Sequence, residues 1–171
     1  MNLDWVGGFA DGEGCFTAQI DAYGRRRGHH KGRGFQIRPM IHITQCNLTI
    51  LRTIRRFVRC GAVHSQGTRI TEGLHFRHVY ALRVTGWRDC RKFLDLIEPH
   101  LILKRKHAKL MRKMLRLRGT PGREHRMSLE QLLGILDVAM QLRLLNYRDP
   151  TEALERLQTA KNWVLSTMVR P

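Results

Sequence analysis

Acidic residues, long apolar runs and export signals are all scarce or absent in this sequence of 171 residues. Asp and Glu total 14 against 31 Lys and Arg, which gives a formal net charge of +17. No apolar run approaches the roughly 20 residues that span a bilayer. The N-terminus lacks a basic segment followed by an apolar one, so we expect no signal peptide and no secretion. The expected location is the cytoplasm or nucleoid of a prokaryote, or an organelle.

Cysteines are few and widely spaced, at positions 15, 46, 60 and 90. No CxxC pair or Cys/His spacing typical of a zinc site occurs, and the nine histidines form no ligand pattern. The cysteines are therefore predicted to be reduced and to act as small hydrophobic residues in a cytosol-like compartment.

The excess of positive charge indicates the class of partner. A soluble protein this basic usually binds nucleic acid through the phosphate backbone. An anionic membrane is the weaker alternative, because no segment pairs a basic face with a large exposed apolar one. A hydrophobic content of 42% argues against disorder.

The periodicity of apolar residues predicts an α+β fold with helices on one face of an antiparallel sheet. The core, residues 1–118, has the order αββαββα, and residues 119–171 add further helices to the same single domain, 1–171. A glycine-rich basic loop, GRRRGHHKGRG at 24–34, joins the first two strands. Predicted helices cover 2–12, 48–59 (capped by Asn47), 87–97, a stretch from about 104, 127–145 and 151–168; predicted strands cover 15–23, 35–45, 61–69 and 74–85.

The outward positions of the predicted strands are mostly polar. A two-stranded ribbon fits the DNA major groove, so these side chains are candidates for contacts with base edges. An ordinary solvated face is the alternative for any single strand. The candidates on the strands are Gln19, Asp21, Tyr23, Gln36, Arg38, Met40, His42, His64, Gln66, Arg77 and Arg83. The candidates for phosphate contacts in the basic loop are Arg25, Arg26, Arg27, Lys31 and Arg33.

The segment WVGGFADGEGCF, at 5–16, combines two features that weaken a helix. Gly7 and Gly8 lower helix propensity, and Asp11 and Glu13 place negative charge near the negative end of the helix dipole. The nine residues VGGFADGEG, at 6–14, resemble the LAGLIDADG motif of homing endonucleases. The order helix, hairpin, helix, hairpin, helix is similar to that family over roughly residues 2–118, and the C-terminal helices resemble its single-motif, homodimeric branch more loosely.

The resemblance implies that two copies of the first helix pack together, with Val6, Gly7, Gly8 and Ala10 at the contact. It also implies a metal site formed by the carbonyl of Gly12 and the carboxylate of Glu13, and no direct metal contact for Asp11. Mg²⁺ suits these oxygen ligands and Mn²⁺ is expected to substitute for it. The commonest motif has Asp where this sequence has Glu13. The alternative is that Gly12 and Gly14 end the helix and that both acids are merely exposed.

Two more positions match the family. HITQCN, at 42–47, resembles a strand end where a glutamine holds water beside the metals, which implies a role for Gln45. EPHLILKRKH, at 98–107, resembles a segment with a lysine near the scissile phosphate, which implies Lys104. The catalytic candidates are thus Glu13, Gln45 and Lys104. Thr49 stands where some relatives have an arginine. Whether Arg52 or Arg55 replaces that arginine is left open.

The resemblance therefore implies a homodimeric, site-specific DNA endonuclease of the kind commonly encoded in introns. It would use divalent metal and no organic cofactor to cut both strands of a long pseudo-palindromic target, leaving short 3′ overhangs. The alternative is a non-cleaving, maturase-like or regulatory nucleic-acid-binding relative of the same fold. A basic ribosomal-type RNA-binding protein would explain the charge but not the motif.

Overall fold

A computed structural model describes residues 1–23, 34–71, 74–119, 127–146 and 151–168. The predicted α+β order αββαββα, followed by further helices, is confirmed; a 3₁₀ turn and three helices come after it. Most of the predicted basic loop, residues 24–33, lies outside the described residues. The elements are α1 (Leu3–Glu13), β1 (Gly14–Tyr23), β2 (Gly34–Gln45), α2 (Leu48–Val58), β3 (Ala62–Thr71), β4 (Leu74–Thr85), α3 (Trp87–Ile97), a 3₁₀ turn (Glu98–His100), α4 (Arg105–Arg118), α5 (Leu129–Asn146) and α6 (Thr151–Met168).

The four strands form one antiparallel sheet in the order β1-β2-β4-β3. Because side chains alternate along a strand, each strand gives one row to the core and one row to solvent. Ile41 pairs with Val84 and Ile43 with Leu82, and all four side chains are buried. His42 and Arg83 form the intervening pair, and Arg83 is exposed. The sheet thus has an apolar inner face and a polar outer face.

Helices α2 and α3 pack on the inner face. Leu51, Ile54 and Val58 form the buried stripe of α2 at helical spacing. Asn47 caps α2 as predicted, because its side-chain oxygen accepts hydrogen bonds from the backbone N–H groups of Thr49 and Ile50 at 3.0 and 3.2 Å. The apolar stripes of both helices and the inner face of the sheet therefore share one core.

Internal contacts divide the chain into two compact units. The first comprises Met1–Phe16 and Met40–Lys109, and the second comprises Thr17–Pro39 and Leu110–Pro171. In the second unit α5 packs on α6, and Lys161 Nζ lies 2.8 Å from Asp137 Oδ1. The assignment of the whole chain to a single domain stays a prediction. None of the helices among the described residues is long and apolar enough to cross a membrane.

All four cysteines are free thiols, but their surroundings differ. Cys60 and Cys90 are buried, whereas Cys46 is exposed directly after β2. Burial, together with the nearby Asp89 carboxylate, raises the pKa of Cys60 to about 11. Burial also raises the pKa of Cys90 far above its ordinary value. Because the thiolate is the reactive form, these two cysteines are predicted to be inert at neutral pH.

We expect a thiol reagent such as Ellman's reagent to react rapidly with Cys46 in the native protein at pH 7–8. Cys60 and Cys90 should react only after unfolding, because both are buried and protonated. Absorbance kinetics of the wild type and of Cys46→Ser test this, with the denatured protein as the control for total thiol. A rapid phase that survives in Cys46→Ser and maps to Cys60 or Cys90 would contradict the prediction.

Candidate active site and nucleic-acid surface

Helix α1 begins at a side-chain cap and turns one face inward. The Asn2 side chain accepts a hydrogen bond from the backbone N–H of Trp5 at 2.9 Å, which satisfies one of the unpaired donors of the first turn. Val6 and Ala10 are fully buried, and Gly7 is also buried. Three of the four residues predicted at the contact with a second copy therefore face the core of their own chain, and only Gly8 remains exposed.

Gly7 is needed for packing within the chain. A Cβ atom at this position would lie 2.5 Å from the Cβ of His100 and 2.7 Å from its carbonyl oxygen. The missing side chain lets α1 approach the 3₁₀ turn closely. One turn earlier, Asp4 Oδ1 lies 2.7 Å from His100 Nδ1. The close approach predicted for this glycine is thus made to the chain's own 3₁₀ turn.

Asp11 is buried, with an exposed fraction of 7%. Its Oδ2 accepts hydrogen bonds from the N–H groups of Ile102 and Leu103 at 2.6 and 3.2 Å, and its Oδ1 accepts one from Lys104 N–H at 2.8 Å. These three donors directly precede α4, where the positive end of a helix favours a carboxylate. The alternative that both acids of the motif are merely exposed is therefore wrong for Asp11.

Glu13, the second acid, is exposed at the last position of α1. Trp5, Gly8 and Gly12 are exposed on the same helix, and Phe9 is half-buried and stacks on Trp5 with ring centroids 5.2 Å apart. Their spacing places the four residues on one side of the helix. Apart from adjacent residues and the backbone of α1 itself, no heavy atom of the described residues lies within 4 Å of the position that a Cβ would take at Gly8 or Gly12. We call Trp5, Gly8, Phe9 and Gly12 the open face of α1.

The other two catalytic candidates lie near the end of α1. The backbone of Lys104 is tied to Asp11, two residues before Glu13, and its side chain is half-buried. Gln45 ends β2, and β1 begins at Gly14, directly after Glu13. Since β1 and β2 are neighbours in the antiparallel sheet, the start of β1 and the end of β2 lie at the same end of the sheet. Gln45 Oε1 accepts a hydrogen bond from Cys46 N–H at 2.8 Å.

The outer face of the sheet in the first unit gathers four of the predicted base-contacting residues. Met40, His42, Gln66 and Arg83 line a shallow cavity of about 410 Å³. A β-bulge between Ser65 and Gly67 inserts Gln66 as an extra residue, and Gln66 Oε1 accepts a hydrogen bond from Arg83 Nη2 at 3.1 Å. Bulges re-aim side chains in this way. His64, also predicted, is exposed.

The remaining predicted DNA contacts fall elsewhere. Gln36 is exposed, and Gln19 and Arg38 are half-buried, all three in the second unit. Asp21, Tyr23 and Arg77 lie on strands, but their side chains are outside the described part of the chain. The basic-loop residues Arg25, Arg26, Arg27, Lys31 and Arg33 are outside it altogether. Their contacts with DNA stay predictions.

A family model described as LAGLIDADG endonuclease matches residues 6–112. The match begins at the motif and extends through both hairpins into α4, which is more than half of the chain. The chain belongs to the LAGLIDADG endonuclease family. No curated protein matches the chain in a sequence comparison.

Solved structures of LAGLIDADG homing endonucleases share the fold. I-TnaI is 27% identical with a TM-score of 0.66, over 96% of this chain and 98% of that chain. I-CvuI, solved with its target and Ca, is 23% identical with a TM-score of 0.67, over 95% and 93% of the two chains. I-SmaMI, solved bound to cleaved DNA, is 21% identical with a TM-score of 0.64; it matches 100% of this chain but only 51% of its own.

Sequence reasoning missed two features of this LAGLIDADG chain. One is the structural role of Asp11, because its partners lie about 90 residues away in sequence. The other is the open face of α1, which contains only one of the four residues predicted at the dimer contact. The spacing of Trp5, Gly8, Phe9 and Gly12 at i, i+3, i+4 and i+7 was the available signal.

We expect Asp11→Asn to lower the free energy of unfolding by about 3 kcal/mol, because one acceptor oxygen becomes an NH₂ group facing buried N–H donors. The matched control is Glu13→Gln, an exposed change two residues away, which should shift stability by less than about 0.5 kcal/mol. Urea unfolding followed by circular dichroism measures both. Equal stability of the two variants would contradict the structural role of Asp11.

Proposed function

We propose that two copies of this chain form a site-specific, metal-dependent DNA endonuclease that cuts both strands of a long pseudo-palindromic target. The observation that carries the proposal is the exposed Glu13 carboxylate beside the open face of α1. Asp11, the other acid of the motif, is already engaged by three backbone N–H groups. Glu13 is therefore the acid that is available for chemistry.

The open face of α1 supports assembly as a homodimer. Two glycines allow two helices to approach closely, and the exposed Trp5 ring provides apolar area that water does not favour. The whole chain corresponds to half of I-SmaMI, so one copy resembles half of a larger endonuclease. A dimer with two-fold symmetry calls for a target with matching half-sites, which is the origin of the pseudo-palindrome.

Packing of the two helices brings the two Glu13 carboxylates to neighbouring negative helix ends. Like charges in such a place repel unless a cation neutralises them. Glu13 and the Gly12 carbonyl offer the hard oxygen ligands that Mg²⁺ prefers, and Mn²⁺ is expected to substitute. Gly12 belongs to the last turn of α1, where carbonyls have no partner within the helix. When bound, the cation helps to activate water and to neutralise the phosphate.

Lys104 and Gln45 complete the proposed site. The bond from Lys104 N–H to Asp11 fixes the backbone of this lysine near the end of α1, where its ammonium group can stabilise charge on the scissile phosphate. The side-chain oxygen of Gln45 already accepts a hydrogen bond from Cys46 N–H, so the side-chain NH₂ group is the part that orients the attacking water. The outer face of the sheet contacts base edges, and the basic loop contacts flanking phosphates.

The two adjacent glycines give a test of assembly. Gly8→Ala should raise the stability of the isolated chain by up to about 1 kcal/mol through helix propensity, yet weaken the dimer by adding a methyl group at the helix contact. Gly7→Ala is the matched control: its Cβ would collide with His100, so it should lower the melting temperature. Thermal melts and analytical ultracentrifugation measure both. A Gly8→Ala protein that dimerises as tightly as the wild type would refute this contact.

Glu13→Gln tests the chemistry. It removes one charge per subunit while nearly preserving shape, so Mg²⁺-dependent cleavage should fall at least about 100-fold, since outer-sphere changes alone cost 10–100-fold at metal sites. Binding of the target without divalent ions should persist or tighten. The joined exon ends that flank the reading frame, or a randomised plasmid library, supply the target.

The matched control is Glu155→Gln, which removes another exposed glutamate, from α6. It should cleave like the wild type. Full cleavage by Glu13→Gln would refute the proposed role of Glu13 as a metal ligand. Target binding by the wild type without cleavage in Mg²⁺ or Mn²⁺ would instead support the non-cleaving, maturase-like alternative.

A further inference from the structure

The exposed sides of α2 and α3 carry matching stripes of positive charge. On α2 and its C-cap the stripe is Arg52, Arg55, Arg56 and Arg59, at i, i+3, i+4 and i+7. On α3 the same spacing gives Arg88, Arg91 and Lys92, followed by Asp95. All of these residues are exposed and belong to the first unit. We call the seven cations the helical basic face.

The two stripes meet at the C-terminal end of α2. Lys92 Nζ donates a hydrogen bond to the carbonyl oxygen of Arg59 at 2.9 Å, and both helices pack on β4. Because α2 and α3 cover the inner face of the sheet, their exposed sides point away from the polar outer face. The helical basic face therefore lies on the other side of the first unit from the surface proposed to contact the target.

Helix stability accounts for only part of this charge. Arg55 and Arg56 lie in the last turn of α2, where the dipole favours a cation, and Arg55 Nε donates a hydrogen bond to the Gly61 carbonyl oxygen at 3.4 Å. No acid occurs between Leu48 and Arg59, so the arginines of α2 form like-charge pairs at i, i+3 and i, i+4, which disfavour the helix. Arg88 lies in the first turn of α3, where the dipole disfavours a cation. The nearby Asp89 is engaged, since its Oδ2 accepts a hydrogen bond from Gly61 N–H at 3.2 Å. Arg88 is thus kept against the dipole of its own helix.

Arg59 also occupies a position that is unfavourable for its residue type, in this case because of its backbone conformation. It caps α2 with φ of 53°, the left-handed conformation, and is the only described non-glycine residue with positive φ. Glycine is the residue that best tolerates this position. An arginine held in an unfavourable conformation, with its side chain exposed on a basic stripe, indicates a binding role.

We propose that the helical basic face binds the phosphate backbone of a second segment of duplex DNA. Six of its seven cations are arginines, whose planar fork matches phosphate geometry better than lysine does. Phe57 is exposed on α2 and Trp87 is half-buried at the start of α3, but neither belongs to the stripes. The stripes therefore offer no row of rings on which the bases of a single strand could stack, which favours a duplex. This proposal rests on the proposed function in one respect: the first duplex is taken to be the target that the sheet binds. Holding two duplexes lets the protein transfer between DNA segments during the search for its target.

Capture of a second duplex is the direct test. The protein is bound to a duplex on beads, and a labelled duplex of unrelated sequence is added over a range of salt concentrations. The triple variant Arg56→Gln, Arg59→Gln, Arg88→Gln should keep the first duplex and capture the second much more weakly. The salt slope for capture should fall by about three units, one for each phosphate contact removed. The matched control is Lys109→Gln, Lys113→Gln, Arg116→Gln, with the same loss of charge from exposed positions on α4, and it should retain capture.

A second variant separates folding from binding. Arg59→Gly should raise the melting temperature, because glycine relieves the left-handed backbone, and should nevertheless weaken capture and lower its salt slope by about one unit. An Arg59→Gly protein with unchanged capture would oppose the proposal, since it would make the arginine irrelevant to binding.

The outcomes also separate this inference from the proposed function. Wild-type protein that binds the first duplex and captures no second one overturns the inference and leaves the proposed function intact. Equal loss of capture in both triple variants reduces the effect to net charge and overturns the inference as well. Loss of the first duplex in the helix-face variant overturns both the two-duplex arrangement and the assignment of the sheet. Displacement of the second duplex by single-stranded RNA at lower concentration than by duplex DNA overturns the choice of ligand.

Discussion

The three hydrogen bonds that the Asp11 carboxylate accepts from residues 102–104 are the interaction on which the site depends. They join the end of α1 to the start of α4 and bury the charge without leaving it unsatisfied. The same carboxylate lies at the unfavourable negative end of α1 and the favourable positive end of α4. Each charged hydrogen bond contributes about 1.5–3 kcal/mol, whereas a helix dipole contributes about 0.3–1 kcal/mol. The three hydrogen bonds therefore outweigh the unfavourable dipole of α1.

This arrangement divides the two acids of the motif into separate roles. Asp11 is inward and structural, and in that role it fixes the backbone of Lys104. Glu13, two residues later, is at the end of the helix and exposed. The docking of α1 also depends on Gly7, since a side chain there would collide with His100. With one side of α1 held by the 3₁₀ turn and the segment before α4, the opposite side stays exposed.

The first unit is a two-layer structure with a shared core and two polar surfaces. The sheet contributes alternate residues such as Ile41 and Leu82 to the core and turns His42 and Arg83 outward. The helices bury their apolar stripes on the same core and turn arginines outward. The first unit therefore presents arginines on its helical side and Arg83 on the outer side of its sheet.

The sequence by itself determined the order of helices and strands, the polar face of the sheet and the family. It also singled out the two acids of the motif, Asp11 and Glu13. These follow from local periodicity, from Asn47 as a cap and from the motif at 6–14. Tertiary structure alone decided which glycine packs inside the chain and which stays open, and which acid is buried. It also decided that a bulge turns Gln66 toward Arg83 and that the stripes of α2 and α3 meet at Lys92. The physical reason is that periodicity defines which residues share a face, while what that face contacts depends on partners such as Ile102 or His100 that lie about 90 residues away.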